Sequence, residues 1–128
     1  MTDTRPRLEP GPTHSITIEP HPSHVTVHAG AVLVAETDRA IELREAGYPP
    51  VLYIPMEDLN QQVVRQNEQH TYCPYKGEAS YYDIVTGEGQ VLQSAIWYYP
   101  EPYPAVNTIA RRVAFYADRV TITDEPRN

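Results

Sequence analysis

The sequence predicts a mainly β domain of about eight short strands with one or two short helices. Three observations predict it. Apolar residues alternate with polar ones in short runs, 13 prolines and 6 glycines cut those runs, and just one stretch carries helical spacing.

From Met1 to about Thr13 the chain is rich in Pro, Gly and charge and has no apolar periodicity. Such a segment cannot bury enough surface to offset its ordering entropy, so it is expected as a disordered arm, with one β-rich domain over 14–124 and a short tail over 125–128. Ile16 and Ile18, Val25 and Val27, Val32 and Val34, then Ile41 and Leu43 alternate as half-buried strands do. A two-residue turn at Ala29-Gly30 would set Val27 opposite Val32 and Val25 opposite Val34, all on one side of a hairpin. Glu45 to Pro50 breaks the pattern and Val51-Leu52-Tyr53-Ile54 resumes it up to Pro55. Pro55 to Leu59 reads as a short helical turn with acids in its first turn, whereas the polar span from Asn60 to Gln69 carries no assignable pattern.

Ser80 to Val85 and Val91 to Trp97 flank Gly87-Glu88-Gly89 and form a second expected hairpin. Tyr98 to Pro104 holds three prolines and is expected as a rigid extended bridge. Val106, Ile109, Ala110 and Val113 lie on one helical face, and Phe115, Val120 and Ile122 suggest a closing strand interrupted at Ala117-Asp118-Arg119.

The 128 residues fit one domain. Ten basic against seventeen acidic side chains give a net charge of −7, which repels a phosphate backbone and argues against nucleic acid as a partner. No window is apolar enough to span a bilayer and the first residues lack a secretory pattern, so the expected location is the cytoplasm, with no membrane partner. Cys73 is the one cysteine, which excludes an internal disulfide and a multi-cysteine zinc site. No cofactor motif is present: there is no P-loop and no G-x-G-x-x-G. Both a monomer and a homo-oligomer remain compatible with the composition.

Cys73-Pro74-Tyr75-Lys76-Gly77, Ala79-Ser80-Tyr81, Trp97-Tyr98-Tyr99-Pro100-Glu101-Pro102 and Val113 to Val120 follow one another in this order, together with Arg39 to Leu43 and Pro49 to Pro55. In these residues the chain resembles a bacterial family, domain of unknown function 427, from about Ile16 to Ile122. The resemblance implies a β-tent-like domain, two sheets leaning together at one edge, and brings no activity beyond a nucleotidyltransferase-like label. Polymerase-type nucleotidyl transfer needs acids holding two divalent metals, commonly from alternate strand positions. The nearest candidate is Glu36-Thr37-Asp38, in an expected turn after the third strand, and it gives that label little support.

The single Lys, the single Cys, the single Trp and seven of the ten tyrosines lie between Tyr72 and Tyr103. This clustering makes Tyr72, Cys73, Tyr75, Lys76, Tyr81 and Trp97 the candidate ligand-binding residues, with Cys73 and Lys76 the candidates for catalysis. A turn from Cys73 to Lys76 would bring the ammonium near the sulfur and favour a thiolate, in a pocket suited to a small anionic or aromatic ligand. The plain alternative is a structural turn: Pro74 and Gly77 shape it, Cys73 packs as a small hydrophobe and Lys76 points to water. A solvent-facing pocket lysine would tolerate replacement by Ala with little change in stability.

His70, three residues before Cys73, is a candidate base in an expected loop. His21, His24 and His28 are weighed as metal ligands, but strand positions four apart are about 13 Å apart, so no metal site is expected. Asp118-Arg119 and Arg39 read as turn ion pairs. Three functions follow: a small-molecule-binding domain, a thiol-dependent or nucleotide-handling enzyme using Cys73 or Lys76, and an interaction module presenting exposed aromatics.

Overall fold

The computed structural model describes residues 5–87 and 89–126. The first four residues of the expected arm, Glu88 of the second expected hairpin turn, and the last two residues of the tail lie outside the described residues. Ten strands form: β1 (Ile16–Pro20), β2 (His24–Ala29), β3 (Val32–Thr37), β4 (Ile41–Glu45), β5 (Val51–Pro55), β6 (Val64–Cys73), β7 (Gly77–Val85), β8 (Val91–Tyr98), β9 (Arg112–Phe115) and β10 (Thr121–Glu125). They make two antiparallel sheets, one of seven strands in the order β1-β4-β5-β9-β8-β7-β6 and one of three in the order β10-β2-β3, and neither closes into a barrel.

The mainly β expectation holds, with two strands more than expected. The last strand also reaches Glu125, one residue into the expected tail. β6 was hidden because it is a sheet edge exposed over most of both faces, so no apolar alternation marks it. The expected helix over Val106 to Val113 does not form. Val106 and Ile109 are buried from 3-10 turns over Pro104–Ile109 that kink at Val106, and Val113 is buried from β9. Asn107, Thr108 and Ile109 favour a helix weakly, and Arg111 at φ +61° redirects the chain into the strand. The turn expected after Pro55 is present as a 3-10 turn over Met56–Asp58.

The first hairpin forms with a register different from the expected one. Ala29 pairs with Val32, so Gly30 at φ +60° lies in the turn. Val27 pairs with Ala35 and His28 with Leu33, which leaves Val34 as an extra, bulged residue. The bulge lets consecutive Val34 and Ala35 both be buried, which strict alternation forbids.

Val25, Val27 and Val34 of the small sheet pack against Ile54, Ile84, Ile96, Val113 and Phe115 of the large one. Each such side chain contributes roughly 1.5–3 kcal/mol on burial. Because strands alternate, Tyr53, Tyr81 and Ala114 fall on the opposite face of the large sheet, where Val106 and Ile109 cover part of them. The sequence from Arg5 onward also lies on the fold: the Arg5 guanidinium sits 4.1 Å from the Tyr72 ring centroid, Arg7 sits 4.4 Å from that of Tyr103, and the Leu8 N–H donates to the Pro74 carbonyl at 2.9 Å. These partners are remote in sequence, so local composition carries no sign of them. Among the described residues no helix is long and apolar enough to cross a membrane.

Candidate functional site

Beside the part of the second face that Val106 and Ile109 cover lies a half-open hollow of about 670 Å³, whose lining also takes in Leu52, Phe115 and Ile122 from the first core cluster. Its aromatic wall comes from four neighbouring strands of the large sheet, β5, β9, β8 and β7. Tyr81 and Trp97 are cross-strand partners on β7 and β8, Tyr53 rises from β5 with its ring 6.5 Å from that of Trp97, and Tyr116 follows β9 with its ring 4.6 Å from Trp97. The Trp97 indole N–H donates to the Tyr53 hydroxyl at 3.3 Å, and the Tyr81 hydroxyl is hydrogen-bonded to Thr71 at 2.7 Å. Tyr99 adds a further phenol, and Tyr48, 66% exposed, stands at the rim.

Burial pushes the Tyr53 and Tyr99 phenols well above their ordinary range, and burial followed by contact with Tyr81 pushes Tyr116 up to about 12. At neutral pH these hydroxyls are therefore protonated donors.

The charged part of the wall is built by the β6–β7 turn. Cys73 pairs with Gly77, and the Lys76 N–H donates to the Cys73 carbonyl at 3.2 Å, so Pro74, Tyr75 and Lys76 form the connection. This turn folds the Lys76 side chain inward rather than toward water, leaving the residue 7% exposed. Its ammonium donates to Glu45 Oε1 at 2.5 Å and lies 3.8 Å from Cys73 Sγ. The other Glu45 oxygen meets His14 Nε2 at 2.7 Å, and the His14 ring stacks on Tyr75 with centroids 3.9 Å apart. Burial alone would raise the Glu45 carboxyl, but the hydrogen bonds from Lys76 and His14 outweigh it and hold the group below its ordinary value.

The structure thus brings Lys76, Tyr81 and Trp97 together as lining of the hollow. Cys73 packs beside them against the second core cluster, in contact with Lys76. Tyr72 and Tyr75 are not part of the lining: the Tyr72 hydroxyl donates to the Pro6 carbonyl at 2.7 Å and meets that of Tyr103, and Tyr75 is stacked on His14. Tyr72 sits apart because it precedes Cys73 on β6 and so points to the other face of the sheet, and Tyr75 because the turn aims it away from Lys76. A buried, paired Lys76 is a reason to expect that its replacement lowers stability. His14 and Glu45 were missed. A buried lysine requires a carboxylate partner, but nothing local in the sequence says which of seventeen acids supplies it.

Residues 17–125 match the model of the family described as Domain of unknown function (DUF427), labelled NTP_transf_9. The chain belongs to the DUF427 family. No curated protein matches it.

In this DUF427 chain the acids that the nucleotidyltransferase-like label would require are already engaged. Glu36 lies in β3, not in the turn expected there, and Asp38 follows that strand; between them they hold His24. The Nδ1 of His24 is 2.6 Å from Asp38 and its Nε2 is 2.7 Å from Glu36. Two carboxylate acceptors require both ring nitrogens to donate, so this is an imidazolium, with a pKa raised first by the Asp38 bond and then by the Glu36 bond. The acids are engaged by a cation of the chain itself. Among the described residues no group of three or more metal-binding side chains could hold an ion.

A raised histidine pKa stabilises fully below the unfolded value of 6.5 and loses that contribution as pH rises through the folded value. The melting-temperature gap between the wild type and His24→Asn is therefore expected to be wider at about pH 6 than at about pH 9. An equal gap at both pH values would contradict the imidazolium.

Other candidates have partners of their own. His70 lies in β6 rather than a loop, its ring meeting Ser80 at 3.3 Å and Glu78 at 3.7 Å; three positions along a strand point it away from Cys73, so it is not the base for that thiol. His21 pairs with Asp124 at 2.8 Å. Arg39 forms the expected ion pair, with Glu57 at 2.6 Å. Arg119 instead reaches back to the Gln93 carbonyl at 3.3 Å. A second cleft of about 510 Å³, lined by Asn67, Gln69, Asp83, Gln93, Ser94 and Arg119, is polar. Its groups satisfy one another: Asn67 donates to Asp83 at 2.7 Å and to Ser94 at 2.9 Å, and the Ser94 hydroxyl donates to Gln69 at 2.5 Å. This network ties down the irregular pairing of β6, β7 and β8.

Proposed function

We propose that this domain binds a small, flat, uncharged ligand in the hollow walled by Tyr53, Tyr81, Trp97, Tyr99 and Tyr116. The observation that carries this reading is that the one ammonium in a largely aromatic and aliphatic wall is already paired with Glu45. An anionic ligand would have to displace that carboxylate at the cost of leaving it buried, whereas an uncharged ring gains stacking area and phenol donors without disturbing the pair. This narrows the earlier choice between anionic and aromatic ligands. Burial of Tyr81, Tyr98 and Tyr99 favours the pocket over the interaction-module reading, which keeps the exposed Tyr48 and Tyr116 and the part-buried Tyr72, Tyr75, Tyr82 and Tyr103 on its side. The thiol-enzyme reading rests on the Cys73–Lys76 contact alone, with His14 separated from the sulfur by Glu45 and Lys76.

Trp97 is the chain's one tryptophan, so its fluorescence reports the hollow directly. Titration with uncharged aromatic fragments should give a saturable change that their carboxylated or phosphorylated counterparts do not give. Trp97→Ala, followed by nuclear magnetic resonance, should weaken the same fragments roughly tenfold, about the worth of one aromatic contact. Absence of any saturable response across such a set would overturn the reading.

A further inference from the structure

We infer that the hollow captures carbonyl compounds covalently, through an imine formed on Lys76; this rests on the pocket reading above and names the chemistry of its ligand. Among ten Lys and Arg residues, Lys76 alone is a lysine. A purely structural cation paired with a buried carboxylate is better served by arginine, whose fork binds both oxygens and cannot lose its proton. The chain uses arginine at every other basic position and places its one primary-amine side chain in the wall of its aromatic hollow.

The surroundings suit the reaction. Glu45 Oε1 first takes one proton from the ammonium, because only the neutral amine has a lone pair to add to the aldehyde carbon. A second proton then passes from nitrogen to the carbonyl oxygen, and Glu45 returns the first to that oxygen, which leaves as water from a protonated imine. The C=O bond breaks and a C=N bond forms, and the two protons that nitrogen gives up leave on the carbonyl oxygen as that water. No oxidant, reductant or outside proton is required. Glu45 Oε1, at 2.5 Å from Nζ, is placed to carry the first of those protons from nitrogen to oxygen. The product keeps a positive charge on the same nitrogen, so Glu45 remains its counter-ion and nothing buried is left unpaired. Tyr99, whose hydroxyl has no hydrogen-bond partner among the described residues, is a donor available to a carbonyl oxygen.

The test uses the full chain with benzaldehyde and sodium cyanoborohydride, followed by mass spectrometry and peptide mapping. The chain offers two kinds of primary amine, Lys76 and the α-amino group, and the α-amino group, being the weaker base of the two types, is ordinarily the faster partner near neutral pH. Labelling of Lys76 is expected to outpace both the α-amino group and free Nα-acetyllysine by roughly tenfold or more. Lys76→Arg, which preserves the charge opposite Glu45, should remove that label and keep the fold. Lys76 labelling no faster than Nα-acetyllysine overturns the inference, and mapping on the wild type decides this even if the Arg variant does not fold. Benzyl alcohol, the same ring without the carbonyl, separates the two readings. If it shifts Trp97 fluorescence saturably while trapping fails, the pocket stands and the imine falls; if neither responds, both fall.

Discussion

Lys76→Ala is expected to lower the unfolding free energy by about 3 kcal/mol, the lower end of the range for breaking a buried ion pair because the pair borders an open hollow. For a domain of this size that is a fall in melting temperature on the order of 10 °C. The loss comes from what remains: Glu45, its side chain 13% exposed, keeps its charge with only His14 to answer it. Two further measurements identify this cause. Lys76→Met combined with Glu45→Leu removes both charges and fills similar volume, so it should recover at least half of the loss; a double variant worse than Lys76→Ala would show that packing dominates. The pH dependence gives the second. A carboxyl held below its ordinary 4.5 contributes stability above that value and loses it as pH falls through the folded value. The gap between wild type and Lys76→Ala should therefore close in acid, and a gap that persists there would rule out the ion pair as its source.

The sequence conveys those parts of the fold that obey a local period. Val25 and Val27, Ile41 and Leu43, and Tyr53 and Ile54 announce their strands because each alternates between a wet and a dry side, or between two dry ones. β6 carries no such record, since an exposed edge asks nothing of its side chains. The Val106 to Val113 spacing misleads for the opposite reason: burial at those positions is real, but a 3-10 turn and a strand meet the same demand as a helix would.

The candidate site divides in the same way. The chemistry of its scarce residues is visible in composition, so Lys76, Tyr81 and Trp97 could be named. Their assembly is not visible. Tyr81 reaches Trp97 through strand pairing, Glu45 reaches Lys76 across 31 residues, and Tyr116 arrives from beyond β9. Tyr72 and Tyr75 share the composition of the cluster without sharing its direction. The side-chain directions set by β6 and the turn separate Lys76 from its neighbours, and sequence proximity cannot report them.

Gly77→Ala is expected to cost about 2–3 kcal/mol, a large effect for a single methyl group, because it disturbs the element that aims Lys76. Gly77 has φ +111°, a conformation that side-chain-bearing residues rarely adopt, and an added Cβ would lie 3.3 Å from the Glu101 carbonyl oxygen. That carbonyl belongs to the proline-rich bridge, which is docked on the same turn by the Tyr103 N–H donating to the Lys76 carbonyl at 3.0 Å. Strain at Gly77 can relax only by shifting the bridge or the turn, and either shift moves the ammonium relative to Glu45. Gly30→Ala supplies the comparison. Gly30 also has a positive φ, +60°, but a Cβ there would meet nothing within 4 Å, so backbone strain acts alone and about 1 kcal/mol is expected. Denaturant unfolding of the two variants compares the two costs; φ +111° and the contact with Glu101 both act at Gly77, and neither acts at Gly30. If Gly77→Ala costs no more than Gly30→Ala, neither the contact with the bridge nor the φ of Gly77 is what requires glycine there.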